Sequence, residues 1–473
     1  MKFNLETFAS ALRATAQQAG SFECAVLGLS GGMDSIVLLH LLSELKKQSK
    51  LDFEFRAVHI NHGLHAEAAA WQQHCEQVCA QLSIQLISVE VSIDNPKAID
   101  PDSTAGIENA AREARYRVFE QQLKPAEALI LAHHRDDQME TLLLRLMRGS
   151  GSRGLSGMPR TRAVGAGFLL RPLLDFDQQQ LHQYARQHQL QWMQDPSNQD
   201  QRFDRNYCRH TVLPILEARW PGYRDSWSKT VTLAEEAEGL LQNLATLDLA
   251  SIATSSKAVV QIDKLLLLSN ARRRNVLRHW LAQLKLPELG WNRLHQLANE
   301  VLFASDSAAL DANGFQLARY KGCLYALTTQ EDKSAPVNAQ NLAWDFLDST
   351  DFERADAPLP PLLLPILLLP NNGSLTAQMK TGPGLAIANC AQLQVRYRQG
   401  GESCRLAGRP NKSLKKILQE HQIEPWLRNR IPLLYREDQL VCIPGIGVSE
   451  EYAAKSGEPG LIVQWLRPVL EVT

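Results

Sequence analysis

A short apolar run, Glu23–Leu29 (ECAVLGL), ends in Ser30-Gly31-Gly32-Met33-Asp34-Ser35 and passes directly into IVLLHLLSELKK, which has helical character. A run this short with little polar interruption suits a strand buried on both faces. Two glycines between strand and helix let the backbone approach an anion with no Cβ in the way, next to the N–H groups of a helix N-terminus. Ser30 and Ser35 add hydroxyl donors. Asp34 would repel phosphate unless a cation stands between them, so its presence points to a metal-bound nucleotide. A bare Gly-Gly pair would favour a plainer reading, a turn capped by Asp or Ser. The full hexapeptide between strand and helix favours the anion cradle.

The rest of residues 1–222 repeats the alternation. Arg56–Ile60, Ile84–Val91 and Ala128–Ala132 are strand candidates, and Ala66–Leu82 and Glu108–Leu123 are patterned for helices. Buried strands separated by helices imply an α/β fold with a mostly parallel sheet. A chain of 473 residues also exceeds one core, so about two to four domains are expected. Residues 223–331 read as mainly helical, through Lys229–Leu247, Arg272–Leu284 and Trp291–Phe303. Residues 332–390, with PLPPLLLPILLLP, fit a linker or a docked extended segment or edge strand. Residues 391–473 regain pattern as a small, basic α+β domain, with LQVRYRQG and QLVCIPG strand-like and SLKKILQEHQI helix-like.

Charged clusters follow the sheet. In HHRDDQMET, His133, Asp137 and Glu140 fall at i, i+4 and i+7, on one face of a helix starting after the fourth strand. Two acids facing a nucleotide suit metal ligands or a base; a solvated acidic helix start is the alternative. Glu108, Arg112 and Arg115 repeat the same spacing, as an arginine offered to an oxyanion or as an ordinary exposed ion pair. Arg145, Arg148, Arg153, Arg160, Arg162 and Arg171 face a single acid, Asp175, over residues 141–175. The stretch RGSGSRGLSGM within them suits a flexible loop on a nucleic-acid backbone, or a plain solvated loop.

Lys plus Arg total 50 against 51 Asp plus Glu, which excludes a uniformly basic nucleic-acid coat. Local charge differs. Residues 391–430 carry nine basic side chains, Arg396, Arg398, Arg405, Arg409, Lys412, Lys415, Lys416, Arg428 and Arg430, against Glu402, Glu420 and Glu424. Tyr397 and Trp426 lie among them, placed to stack on unpaired bases or to fill a core. Pro358–Pro370 is too short and too broken by proline to span a bilayer, and the N-terminus lacks the apolar core of a signal peptide. Eight scattered cysteines, with Cys75 and Cys79 the closest pair, fit a reduced cytoplasmic protein; His74 beside them leaves a metal site as the lesser alternative.

The SGGMDS loop resembles the PP-loop of the ATP pyrophosphatase families, which implies ATP cleavage between the α- and β-phosphates. HHRDDQMET, RGSGSRGLSGM, RPLL and DPSNQDQRFDRNYCRHTVLPIL follow in the order of the tRNA-isoleucine lysidine synthetase signature, and residues 396–435 resemble that family's terminal tRNA-contacting domain. The resemblance implies that the wobble cytidine of a CAU-anticodon isoleucine tRNA is adenylated by ATP and then joined at C2 to free L-lysine. It implies ATP held by Ser30, Gly31, Gly32, Met33, Asp34, Ser35 and His133, and Mg²⁺ on Asp34 and Asp137. The catalytic set is Asp34, Asp137, Glu140, Arg112 and Arg205, with Glu140, or alternatively Asp137, orienting or deprotonating lysine. Substrate contacts fall to Arg115, Arg148, Arg153, Arg209, Arg396, Arg398, Arg405, Lys412, Lys415, Lys416 and Trp426. No membrane partner is expected, and a homodimer is compatible with the reading. The rivals are tRNA thiolation, which usually needs paired cysteines that this chain lacks, and a catalytically inactive tRNA-binding protein, which would tolerate damage to a loop that here is intact.

Overall fold

The run after Glu23 forms β1 (Cys24–Gly28), and its alternate residues bury on opposite faces of a sheet. Ala25 and Leu27 enter one core, with α1 (Leu5–Ala19), α2 (Met33–Lys47) and the helix Gln178–Gln187. Val26 enters a second core, with Val58, Phe119, Leu123 and Leu129. Helices on both faces leave the inner strands no polar side, which is why they read as apolar runs. Each fully buried Leu or Ile contributes roughly 1.5–3 kcal/mol relative to exposure.

The computed structural model describes residues 3–61, 67–91, 104–305, 308–328, 342–344, 367–369, 372–390 and 393–467. Between β1 and the fourth strand come β2 (Glu54–Asn61), α3 (Ala68–Gln81), β3 (Leu86–Glu90) and α4 (Thr104–Gln122). Then follow β4 (Glu127–Ile130), α5 (Arg135–Met147), β5 (Thr161–Val164) and β6 (Gly167–Leu170). The sheet order is β3-β2-β1-β4-β6-β5, parallel except for the β5–β6 pair. The α/β expectation for this part of the chain is met. Strand order reverses between β1 and β4, and the crevice at their carboxyl ends is where such sheets bind ligands.

The chain forms two compact units, Met1–Leu240 and Leu241–Thr473, with the helix Tyr223–Ile252 running through the division. In the second unit, helices Asn270–Gln283 and Trp291–Asn299 pack Trp280, Leu277 and Leu297 against a four-stranded sheet. That sheet adds strands to a region expected to be mainly helical. Its hairpins turn at Asn313-Gly314 and at Lys321-Gly322; Lys321 and Gly322 both have positive φ, as a two-residue hairpin loop requires.

Residues 332–390 contribute to the C-terminal sheets where they are described. Leu342–Trp344 pairs with Leu393–Arg396, and Ser374–Thr381 pairs along its length with Pro459–Leu466. Of the Pro/Leu segment, Leu367–Leu368 pairs with Ser374 and Leu375, while 358–366 and 370 lie outside the described residues. The expected helix and strands of the terminal part appear as Leu414–Glu420, Leu393–Arg396 and Gln439–Ile443.

Candidate active site

Between β1 and α2 the backbone turns at Gly31, whose φ of +83° is a conformation side chains rarely adopt. A Cβ there would also stand 3.1 Å from Cys75 Sγ on α3. Gly32 is the N-cap of α2, so the N–H groups of Met33, Asp34 and Ser35 open onto the crevice. The hydroxyls brace the turn: Ser35 Oγ donates to Gly32 O (2.9 Å), lies 3.1 Å from Ser30 Oγ, and Ser30 Oγ accepts from Gly32 N (3.3 Å). Donors at a helix N-terminus behind a glycine turn form an anion cradle.

The facing wall comes from the β4–α5 turn. Helix α5 begins at Arg135 with His134 as its N-cap, and the His134 N–H donates to Asp137 Oδ2 at 3.0 Å. The expected i, i+4, i+7 face therefore holds for Asp137 and Glu140 but not for His133, which precedes the helix. His134 Nε2 lies 3.6 Å from Asp34 Oδ2 and 3.5 Å from Asp137 Oδ2, and so draws the two expected metal carboxylates to one point. Burial alone would lower this imidazole's pKa, but Asp137, Asp34 and Asp136 outweigh it and raise it to about 9. Its Nδ1 accepts from the Asp137 N–H at 3.4 Å, so the ring meets both carboxylates through Nε2. Burial opposes the Asp137 charge too, yet His134 and Arg205 hold its carboxyl well below the usual range. His134 is absent from the residues expected at the site, although its position as the cap three residues before an acid is a local signal.

Glu140 is buried, and both its oxygens are engaged. Arg205 Nε donates to Oε2 (2.7 Å), while Arg209 donates to Oε1 from Nε (2.6 Å) and to Oε2 from Nη2 (3.0 Å). Arg205 Nη2 also reaches Asp137 Oδ1 at 2.9 Å. The two arginines leave the short helix Asp204–Tyr207 and the π-helical turn Cys208–Val212 that follows it. Two carboxylates and two guanidiniums thus form a closed network, the arrangement that makes buried charge tolerable.

On the other side, His133 Nδ1 accepts from Arg171 Nε at 3.3 Å. Burial, assisted by Arg171, Arg205 and Arg112, pushes His133 down to about 3, so it stays neutral, the opposite direction from its neighbour His134. Arg112 lies over the Tyr116 ring and Arg115 is exposed on the same helix; the Glu108 side chain lies outside the described residues. Arg148 and Arg153 are exposed on RGSGSRGLSGM, which is tied down rather than loose. Ser152–Leu155 makes a helical turn, Arg145 donates to Gly154 O (3.1 Å) and Gly157 O (2.5 Å), and Gln138 bonds both backbone groups of Met158. Glycine content reads as freedom, but these side chains satisfy the backbone that glycine leaves open.

In the second unit, four expected contacts already have acids: Arg396 with Asp438 (3.0 Å), Arg398 with Glu402 (4.0 Å), Arg405 with Glu450 (2.5 Å) and Lys412 with Glu420 (2.8 Å). Lys415 and Lys416 are exposed. Trp426 packs edge-on to Tyr325 and Tyr320, at 4.8 and 6.0 Å between ring centres, and Tyr397 is buried with its hydroxyl accepting from Asn372. Cys75 and Cys79 are buried, their thiols pushed up to about 12 and about 11. No described helix is long and apolar enough to cross a membrane.

Three family descriptions match the chain: a PP-loop domain over residues 5–216, a TilS substrate binding domain over 261–325 and a TilS substrate C-terminal domain over 393–465. The tRNA(Ile)-lysidine synthase of Pseudomonas syringae pv. tomato is 39% identical over 433 residues, covering 89% of this chain and 88% of the relative. That of Coxiella burnetii is 38% identical over 448 residues, covering 93% and 92%. Among solved structures, the U34-tRNA thiolase NcsA from Methanococcus maripaludis with its [4Fe-4S] cluster aligns with a TM-score of 0.40 at 19% identity, over 49% of this chain and 79% of that one.

Proposed function

The chain belongs to the tRNA(Ile)-lysidine synthase family, and from that premise we propose how its first unit carries out the ATP-dependent joining of lysine to a tRNA cytidine. It is a ligase that modifies tRNA. The substrates are ATP, free L-lysine and an isoleucine tRNA with a CAU anticodon; the setting is the cytoplasm. The cytidine O2 attacks the α-phosphate of ATP, pyrophosphate departs, and the lysine ε-amine then displaces AMP at C2.

The observation that carries this reading is the meeting of Asp34 and Asp137 on His134, at the mouth of the SGGMDS cradle. The α2 amides and Ser30 receive the leaving pyrophosphate, where preorganised donors stabilise charge as it develops. Asp34 Oδ1 is buried with no hydrogen-bond partner, and a hard oxygen left over in that position fits Mg²⁺. Among the described residues no group of three or more His, Cys, Asp or Glu side chains gathers as a metal site. Mg²⁺ at nucleotides commonly takes only one or two carboxylates, with phosphate and water completing the shell. Bound there, Mg²⁺ would draw charge from the triphosphate; Asp34, with Asp137, would hold it.

Lysine must arrive as an amine although its ordinary pKa is about 10.4. Asp137, with 13% of its side chain exposed against 1% for Glu140, is the carboxylate the ammonium can reach. An acid held so far below the usual range is a weak base, so Asp137 orients the ε-ammonium, whose proton passes to water before the neutral amine attacks C2 and AMP leaves. Glu140 acts through Arg205 and Arg209, which it holds for the adenylated intermediate. Arg112 stands on the opposite side, for the base or its developing charge. Thiolation draws no support from Cys75 and Cys79, since buried thiols with raised pKa are poor nucleophiles at neutral pH.

The test is transfer of labelled lysine, with ATP and Mg²⁺, to purified isoleucine tRNA bearing CAU, beside methionine tRNA with the same anticodon. Labelling confined to the isoleucine tRNA is expected. Adenylation of another substrate with no lysine transfer would overturn the assignment.

A further inference from the structure

Behind His133 lies a group of arginines of which the adenylation and the lysine transfer, as proposed, use only Arg112. Arg171 follows β6 directly and is 2% exposed, yet its guanidinium donates only to uncharged acceptors, Pro159 O (2.6 Å) and His133 Nδ1 (3.3 Å). Burial and the nearby Arg162 and Arg112 push it down to about 10, against a counteracting Tyr116. Arg112 from α4 and Arg162 from β5 both lie over the Tyr116 ring, at 5.2 and 4.8 Å from its centre. The Tyr116 hydroxyl is buried between Arg162 and Arg171, which favour its ionised form, but no hydrogen bond of good geometry reaches it. Arg145 adjoins the group and donates to the backbone carbonyls of Gly154 and Gly157.

None of the ion pairs among the described residues involves Arg112, Arg162 or Arg171; the side chain of Glu108, one turn before Arg112, lies outside those residues. Arg171 is buried while Arg112 and Arg162 reach solvent, and a buried cation crowded by like charges is costly unless an opposite charge joins it. Two guanidiniums cover the Tyr116 ring, so the phenol is not a platform for stacking a base. What the group offers is hydrogen-bond donors, and its ligand is an oxyanion. The PP-loop cradle already serves the phosphates of ATP, and the adjacent histidines separate the two regions: His134 turns to the carboxylates and His133 to Arg171.

We propose that Tyr116, Arg112, Arg162 and Arg171 form a phosphate site that takes a backbone phosphodiester of the tRNA close to the cytidine being modified. The site rests on the tRNA-modifying function proposed for the first unit. It sets the register of the substrate strand against ATP, as phosphate contacts do in nucleic-acid complexes.

Arg162→Gln and Tyr116→Phe in the full chain test it, with isoleucine tRNA binding measured across a salt series and ATP binding measured without tRNA. Arg162 is exposed, so its loss leaves folding intact, which a thermal melt checks. Arg162→Gln is expected to weaken tRNA binding about tenfold and to lower the salt slope by about one. Tyr116→Phe is expected to weaken binding with the slope unchanged, and neither variant is expected to alter ATP affinity. Unchanged tRNA affinity and slope in both would overturn the site, and weakened ATP binding would reassign the anion to the nucleotide and overturn it equally. A wild-type chain that transfers no lysine to tRNA would defeat the functional reading itself, a result these variants neither cause nor mask.

Discussion

His134 Nε2 stands 3.6 Å from Asp34 Oδ2, a contact between the turn after β1 and the turn after β4. These are the two strands at which the sheet order reverses. The imidazole of one turn therefore holds the acid of the other at the crevice, and the acid keeps a second oxygen, Oδ1, without a partner.

Asp34→Asn is expected to slow adenylation while leaving the fold intact, since the side chain is 31% exposed. With lysine omitted, adenylated tRNA should form roughly 10²–10³-fold more slowly, the usual cost of losing one charge-stabilising group at a reacting centre. Adenylation at the wild-type rate would remove Asp34 from the chemistry.

Glu140→Gln should destabilise the first unit as well as slow lysine transfer. It leaves the half-buried Arg205 and Arg209 against one remaining carboxylate, and breaking a buried pair costs up to about 3–5 kcal/mol. Denaturant titration checks the stability, and single-turnover kinetics the transfer. If Glu140 were only a lysine base, transfer would fall while stability held.

Gly31→Ala meets two separate obstacles, the positive φ and the Cys75 sulfur 3.1 Å from the new Cβ. Backbone strain of this kind costs of order 1–3 kcal/mol. Cys75→Ala alongside it removes the contact but not the strain, so the double variant should regain only part of the lost ATP affinity. Full recovery would show that crowding, not backbone conformation, explains the glycine.

Glu127 and Arg56 form a two-pronged pair at the amino ends of β4 and β2, at 2.9 and 2.7 Å. The Arg56 hydrogen bond outweighs burial and holds the Glu127 carboxyl below its ordinary 4.5. Because the folded pKa is depressed, the stabilisation is complete above the unfolded value and is lost as pH falls through the folded one. Wild type should exceed Glu127→Gln by about 1.5–3 kcal/mol at pH 7, and the gap should narrow as pH falls below 4.5 and close once it passes the depressed folded value. A gap in denaturant titrations that does not narrow at all as pH falls below 4.5 would contradict the ion pair.

Much of the fold is readable in the sequence because its signals are local. The strand, glycine turn and helix of residues 24–47 are contiguous, and the same holds for β2, β3 and β4. Two further local signals are weaker beside their surroundings. Asn313-Gly314 is a strong hairpin turn, but the sheet it opens follows three helical stretches that set the character of residues 223–331. The alternation in Ser374–Thr381, which buries Leu375 and Ala377, marks a strand where a linker was one of the expectations. Helical spacing fails at His133, because it lies before the N-cap, whose extended backbone takes the chain off the helical face.

The sequence by itself determined the cradle, the order of strands and helices, and the residue types that an ATP site requires, since each depends on neighbours a few positions apart. Only the tertiary structure decided which charges meet. Glu140 could be read as a free base until Arg205 and Arg209 arrived from a distant helix, and Arg171 as one surface charge of many until β6 placed it behind His133. The reason is electrostatic. Burial removes the water that would otherwise screen a charge, so its behaviour is governed by the partner it meets. That partner is chosen by how the strands and helices pack, not by spacing along the chain.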